Sequence, residues 1–166
     1  MTRTIDFIFD FGSPNAYLAW KVLPGIADRT GATINLIPCL LGGIFKATGN
    51  QAPITAFGGV KGKLEYEALE TDRFVQKHGL HAYRFNPHFP VITLIAMRGM
   101  IAAQHAGVGD ALLAATQTPA VKAELAANTE AAVARGVFGI PTFFVGNEMF
   151  FGKERLGQIE ELLAAG

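Results

Sequence analysis

The chain has 166 residues, half of them hydrophobic and 17% charged, and its fourteen basic side chains balance fourteen acidic ones. That is enough for one domain with a sizeable core, with or without an inserted subdomain, and it argues against disorder. The balanced charge shows no basic cluster of the kind a nucleic-acid binder carries, and no window of roughly 18 uncharged apolar residues reads as a membrane span.

The first residues run straight into an acid-containing strand, so no secretory leader is expected and a cytoplasmic location is the default. Thr4 to Phe11 alternates polar and apolar residues and is rich in Ile and Phe, which predicts a strand. Gly12-Ser13-Pro14 stops it. Pro14 to Thr30 then reads as a helix with Tyr17, Leu18, Val22 and Ile26 on one face and Gly31 as its stop. Thr33 to Pro38 alternates again, so the chain opens β-α-β, a length that suits a parallel crossover.

From Gly42 to about Pro53 the composition is loop-like. A mostly helical block follows, with helices predicted over Lys61 to His78, Val91 to His105, Ala111 to Thr116 and Pro119 to Arg135. Thr118 and Pro119 serve as cap and first-turn proline of the last. The stretch "GIPTFFVGNEMFFG" holds two short Phe-rich strands joined by Gly146-Asn147, a hairpin signal, and Lys153 to Ala165 closes the chain as a helix. The order βαβ, helical block, ββα predicts an α/β fold: a four-stranded mixed sheet with an inserted helical subdomain.

Four features carry chemistry. Ser13 before Pro14 is a favoured N-cap, and the same geometry aims amide N–H groups and a helix dipole at any anion placed there. Pro141 in Gly139-Ile140-Pro141-Thr142 either fixes a turn or, in a cis bond, leaves the preceding backbone free to pair with a peptide-like ligand. The segment from Phe151 to Leu156 starts the last helix. It could also form an anion nest at Gly152 and Lys153, with Glu154 meeting an ammonium group. Lys46, in "GGIFKATGN", is either a solvated charge or a carboxylate ligand; Asn50 and Pro53 in the same loop fit turn roles.

The four histidines, at 78, 81, 88 and 105, lack regular ligand spacing, so no metal site is expected. His88, between prolines in "NPHFP", is retained as a site-rim candidate. Cys39 excludes an internal disulfide and any CxxC motif, and reads as a small buried apolar residue.

Together "DFGSPNAYLA", "LLGGIFKATGN", the "KGKLEY" helix, "FNPHFP", "ARGVFGIPTFFVG" and "EMFFGKERL" resemble the 2-hydroxychromene-2-carboxylate isomerases and kappa-class glutathione transferases. Both belong to the DsbA-like thioredoxin superfamily, and the likeness runs nearly end to end. The resemblance implies a thioredoxin-like domain over 1–45 and 136–166 around a helical insertion over 46–135. It implies glutathione as cofactor, with Ser13 as the catalytic residue holding its thiolate. Ile140 then precedes a cis-proline and pairs with the cysteinyl backbone, while Phe151, Gly152, Lys153 and Glu154 take the γ-glutamyl end. Lys46, Asn50, Pro53, His88 and Phe89 fall to a small aromatic substrate.

The implied activity is glutathione-dependent cis-trans isomerisation in aromatic-compound degradation, by a homodimer. Ser13-Pro14-Asn15-Ala16 in place of CxxC removes dithiol redox chemistry. A kappa-like transferase or peroxidase, and a non-catalytic glutathione- or peptide-binding module, are the alternative readings. Three departures stand out: Glu154 replaces the usual Asp, Ile92 a common Asn, and the helical stretch near 105–111 is shorter than in the family.

Overall fold

The computed structural model describes residues 3–106, 116 and 118–165. Strand β1 (Thr4–Phe9) is central: it pairs in parallel with β2 (Thr33–Pro38) and antiparallel with β3 (Thr142–Val145), which pairs antiparallel with β4 (Glu148–Phe151). The sheet order is β2-β1-β3-β4, the mixed four-stranded sheet that the sequence predicts. Phe7 and Phe143 face each other across the β1–β3 ladder with ring centroids 4.7 Å apart, both fully buried, and Trp20 stacks on Phe7 from the first helix. Such cross-strand aromatic pairs add orientation-specific energy to the burial itself.

Strand β1 ends two residues earlier than predicted. The Asp10 carboxylate accepts the Gly12 amide at 2.7 Å and the Asp10 carbonyl accepts the Ser13 amide at 3.0 Å. The chain therefore turns before Phe11, leaving that ring half exposed. Helix α1 (Pro14–Thr30) spans the predicted residues, with Ser13 as cap and Gly31 as stop. Its buried face differs: Ala16, Leu18, Ala19, Leu23 and Ile26 are buried, whereas Tyr17 is 42% exposed. Small alanines let the helix sit close to the sheet, and the larger tyrosine turns outward.

The predicted loop from Gly42 is corrected by the structure, which forms helix α2 (Leu41–Thr48) there. Its first amide, at Leu41, donates to the Asp10 carboxylate at 2.7 Å, and Ile44 is fully buried. The glycines that suggested a loop serve packing instead. A Cβ on Gly43 would lie 3.0 Å from the Thr129 methyl, so glycine lets α2 approach without crowding that side chain.

Helices α3 (Pro53–Phe57), α4 (Lys63–Lys77), α5 (Leu94–Ala106) and α6 (Pro119–Ala134) follow, with Thr118 capping α6 through the Val121 amide. The predicted helix over Ala111 to Thr116 lies outside the described residues except for Thr116 itself. The closing helix starts later than predicted: a 3-10 turn (Lys153–Arg155) leads into α7 (Leu156–Ala164). Helix α1 packs against α7, while α6 packs against α2 and α5. Among the described residues no helix is long and apolar enough to cross a membrane.

Cys39 follows β2, fully buried, and its thiol donates to the Asn128 carbonyl at 3.4 Å. Burial, then the Asp10 charge, pushes the thiol up to about 12 from an ordinary 9.0. A thiol so protonated is inert as a nucleophile at neutral pH. The raised value has a sign for stability: the unfolded chain loses this proton near pH 9 while the folded chain keeps it. Unfolding free energy should therefore fall as pH rises from 9.0 to about 12, and Cys39→Ala should lack that part of the slope. Denaturant titrations of both proteins across this range check it; equal slopes contradict it.

Candidate functional site

The carboxyl end of β1, the start of α1 and the loop before β3 meet at one point. Ser13 is 5% exposed and has extended backbone at the N-cap of α1. Its Oγ accepts the Ala16 amide at 3.2 Å, as a cap does, and donates its proton to the Ile140 carbonyl at 2.9 Å. The Ile140–Pro141 peptide is cis. The Ser13 hydroxyl thus ties the start of α1 directly to the loop that enters β3.

Every carbonyl of the loop from Phe138 to Pro141 has a donor. Asn50 Nδ2 donates to Phe138 O at 2.7 Å, Thr142 Oγ1 to Gly139 O at 2.7 Å, Ser13 Oγ to Ile140 O, and the Gly152 amide to Pro141 O at 3.0 Å. Buried backbone groups must find partners, and here side chains remote in sequence, Asn50 and Ser13, supply two of the four, with Thr142 closing a third from three residues away. Phe151 covers the loop from the β4 side: its ring lies tilted against Phe138 with centroids 4.6 Å apart, and a Cβ on Gly139 would lie 2.9 Å from it. A side chain there would have to push that ring aside.

Ser13, Ile140, Asn50, Phe151 and Gly152 are therefore brought together. Lys46 is exposed in the last turn of α2, one turn before Asn50, and Pro53 opens α3. His88 is exposed and Phe89 half-buried, beside Phe85 at 5.3 Å, in the segment ahead of α5. No described hydrogen bond ties either to Ser13. Their segment meets the start of α1 at Thr93, which would touch a side chain placed on Gly12, and at Tyr83, which stacks on Tyr17. Phe89–Pro90 is a second cis peptide.

The anion nest suggested for Gly152 and Lys153 is corrected: the Gly152 amide is committed to Pro141 O and is not offered to a ligand. Lys153 is 3% exposed, lies over the Phe74 ring and forms an ion pair with Glu154. Glu154 does face an ammonium group, but it is the chain's own. Both line a groove of about 450 Å³ between α1, α4 and α7, along with Glu70, Arg73 and Glu160.

Three contributors escape a reading of residues alone. Asp10 anchors the turn before Ser13, Thr142 closes the Gly139 carbonyl, and Phe138 packs under Phe151. Asp10 carried a usable signal, because an acid one residue after an apolar strand and two before a glycine is an Asx-type turn former. Thr142 and Phe138 have meaning only once the loop before β3 forms and Phe151 of β4 lies over it.

Chemically, the arrangement offers one hydroxyl at the positive end of a 17-residue helix and one backbone carbonyl beside it. Those groups suit an anionic atom carried next to an N–H. Among the described residues no cluster of three or more His, Cys, Asp or Glu could hold a metal.

Comparison with known proteins places this geometry. A family model described as a DSBA-like thioredoxin domain matches residues 4–112 and 102–164. A relative from Sphingobium xenophagum, named 2-hydroxychromene-2-carboxylate isomerase, is 31% identical over 196 aligned positions, covering 98% of this chain and 99% of the relative. Those positions outnumber the 166 residues here, so the relative carries positions without counterpart in this chain. A solved 2-hydroxychromene-2-carboxylate isomerase matches with a TM-score of 0.77 and 25% identity, over 98% of this chain and 95% of its own. Over 30% of this chain and 22% of its own, a Caenorhabditis elegans protein named glutathione S-transferase kappa 1 is 42% identical. The chain belongs to the DsbA-like thioredoxin family, in its 2-hydroxychromene-2-carboxylate isomerase branch.

Proposed function

We propose that this protein is a glutathione-dependent isomerase acting on a 2-hydroxychromene-2-carboxylate-type aromatic substrate. The observation that carries the reading is the Ser13 hydroxyl, held between the start of α1 and the Ile140 carbonyl before cis-Pro141. These two groups fit a cysteinyl unit: a hydroxyl at a helix terminus for the sulfur, and a carbonyl acceptor for the adjacent N–H.

The hydroxyl has one proton, and it is committed to Ile140 O. An incoming backbone N–H that takes over the Ile140 carbonyl frees that proton to turn toward the sulfur. Ser13 then donates to an anion while its lone pair continues to cap Ala16. A thiol near 8.5 is mostly protonated at neutral pH, and a helix terminus with a hydroxyl donor lowers that value. By the family likeness the γ-glutamyl end would lie at Phe151 to Glu154, where Glu154, half exposed, would have to exchange its own Lys153 partner for the ligand's ammonium.

When bound, glutathione supplies a thiolate that adds reversibly to a conjugated double bond, permits rotation and leaves unchanged. The chain's part is to place the substrate for that event. Lys46 pairs with the substrate carboxylate and stabilises developing enolate charge. The family likeness assigns Asn50, Pro53, His88 and Phe89 to the same substrate, with Pro53 and Phe89 suited to apolar contact with an aromatic ring.

The direct test is incubation with 2-hydroxychromene-2-carboxylate, with and without glutathione. A spectral change that requires glutathione is expected; its absence contradicts the reading. Ser13→Ala should lower kcat by about 100-fold, the scale of losing one preorganised donor, while glutathione affinity stays within about threefold. The same change removes a cap and costs about 1 kcal/mol of stability, which thermal unfolding reads separately. A variant with full kcat makes Ser13 a cap and nothing more. A second reading, transfer of glutathione to other electrophiles, is favoured by the kappa-class match; turnover of a generic electrophile without isomerisation would select it.

A further inference from the structure

Asp10 is 1% exposed, and neither the catalytic reading nor the family resemblance gives it a role. Its two carboxylate oxygens take different partners: Oδ1 accepts the Gly12 amide and Oδ2 the Leu41 amide, each at 2.7 Å. Its own carbonyl accepts the Ser13 amide at 3.0 Å. Among the described residues no lysine, arginine or histidine pairs with it. A buried anion without a cation needs strong compensation, and here two short charge-assisted hydrogen bonds supply it at the converging starts of two helices.

Those two helices carry the two arms of the site. Gly12 directly precedes Ser13 at the head of α1, and Leu41 is the first residue of α2, five positions before Lys46. Leu40, the N-cap of α2, makes no side-chain cap bond, so the cap of α2 comes from Asp10. We infer that Asp10 is a positioning residue, a two-pronged clamp that fixes the thiol-holding arm at Ser13 relative to the substrate-holding arm at Lys46. The inference rests on the proposed function for what each arm does. It adds that one buried carboxylate outside the site sets both.

Charge and position make opposite claims about this residue. Removing a nearby anion would by charge alone favour a thiolate and lower the bound thiol's pKa. Loss of the clamp moves the Ser13 donor and raises it. Asp10→Asn keeps the volume but can accept at one atom only, turning an NH2 against the other amide. Leu41→Pro removes the α2 prong at a first-turn position where proline suits a helix; it also loses a leucine side chain packed against the core, so its KM is read against Leu41→Ala, which loses the same side chain but keeps the amide. Leu40 already has φ −97° and ψ 107°, the backbone a residue before proline adopts.

The experiment titrates the ultraviolet absorbance of glutathione thiolate on each protein, measures substrate KM, and follows amide hydrogen exchange at Gly12 and Leu41 without ligand. D10N should raise the bound thiol pKa by about 0.5 and KM by roughly threefold or more. L41P should raise KM above that of L41A and leave the thiol pKa in place. A thiol pKa that falls or stays in D10N, or a KM in L41P no higher than in L41A, overturns the clamp. Should D10N not fold, L41P read against L41A decides alone. If wild type neither binds glutathione nor lowers its thiol pKa, the functional reading fails, and exchange then judges the clamp by itself. Loss of protection at Gly12 and Leu41 together in D10N supports it; loss at one or neither overturns it.

Discussion

The hydrogen bond from Ser13 Oγ to Ile140 O joins residues 127 positions apart, and the site depends on it. It ties the head of the first helix to the loop that enters β3. That contact requires β1 and β3 to be neighbours, hence the sheet order β2-β1-β3-β4, and it requires the chain to turn sharply after Phe9. The Asp10 carboxylate and carbonyl enforce the turn. Burial of Phe7 against Phe143 supplies the packing that holds the two strands in register.

The loop from Phe138 to Pro141 shows how the rest of the fold converges on this contact. Each of its carbonyls is satisfied by a different element: the end of α2, the first residue of β3, the cap of α1 and the residue after β4. A cap residue is an economical place for an anion site, because the helix terminus already needs polar partners. The Ser13 hydroxyl meets that need on one side and, on the other, holds a proton that exchange of partners can redirect.

Much of this was legible in the sequence. The alternation in β1 and β2, the Gly146-Asn147 hairpin and the Ser13-Pro14 helix start predict the sheet and first helix, since they rest on local rules that packing here reinforces. Helix α2 was not legible: Gly42 and Gly43 are poor helix formers, and its cap is contributed by Asp10, thirty-one residues away in sequence. The Gly152 nest failed for a similar reason, its amide being taken by a carbonyl across the β3–β4 pair. Ser13 and the Ile140–Pro141 step were legible from the residues and Asn50 as a turn residue, with their site roles implied by family likeness, whereas the bonds from Ser13 and Asn50 to the loop before β3 became visible only in three dimensions. Phe138 and Thr142 gave no sign, because their roles are to pack and to satisfy a loop that does not exist in one dimension.

What distinguishes this account from a helix cap beside a proline turn is the charge state of the bound sulfur. Titrating the thiolate absorbance of glutathione bound to wild-type protein measures it directly. The account expects a thiol pKa clearly below the free value of about 8.5, lost on Ser13→Ala. A bound thiol that titrates as free glutathione does, or a lowered value that survives the loss of the hydroxyl, would contradict it.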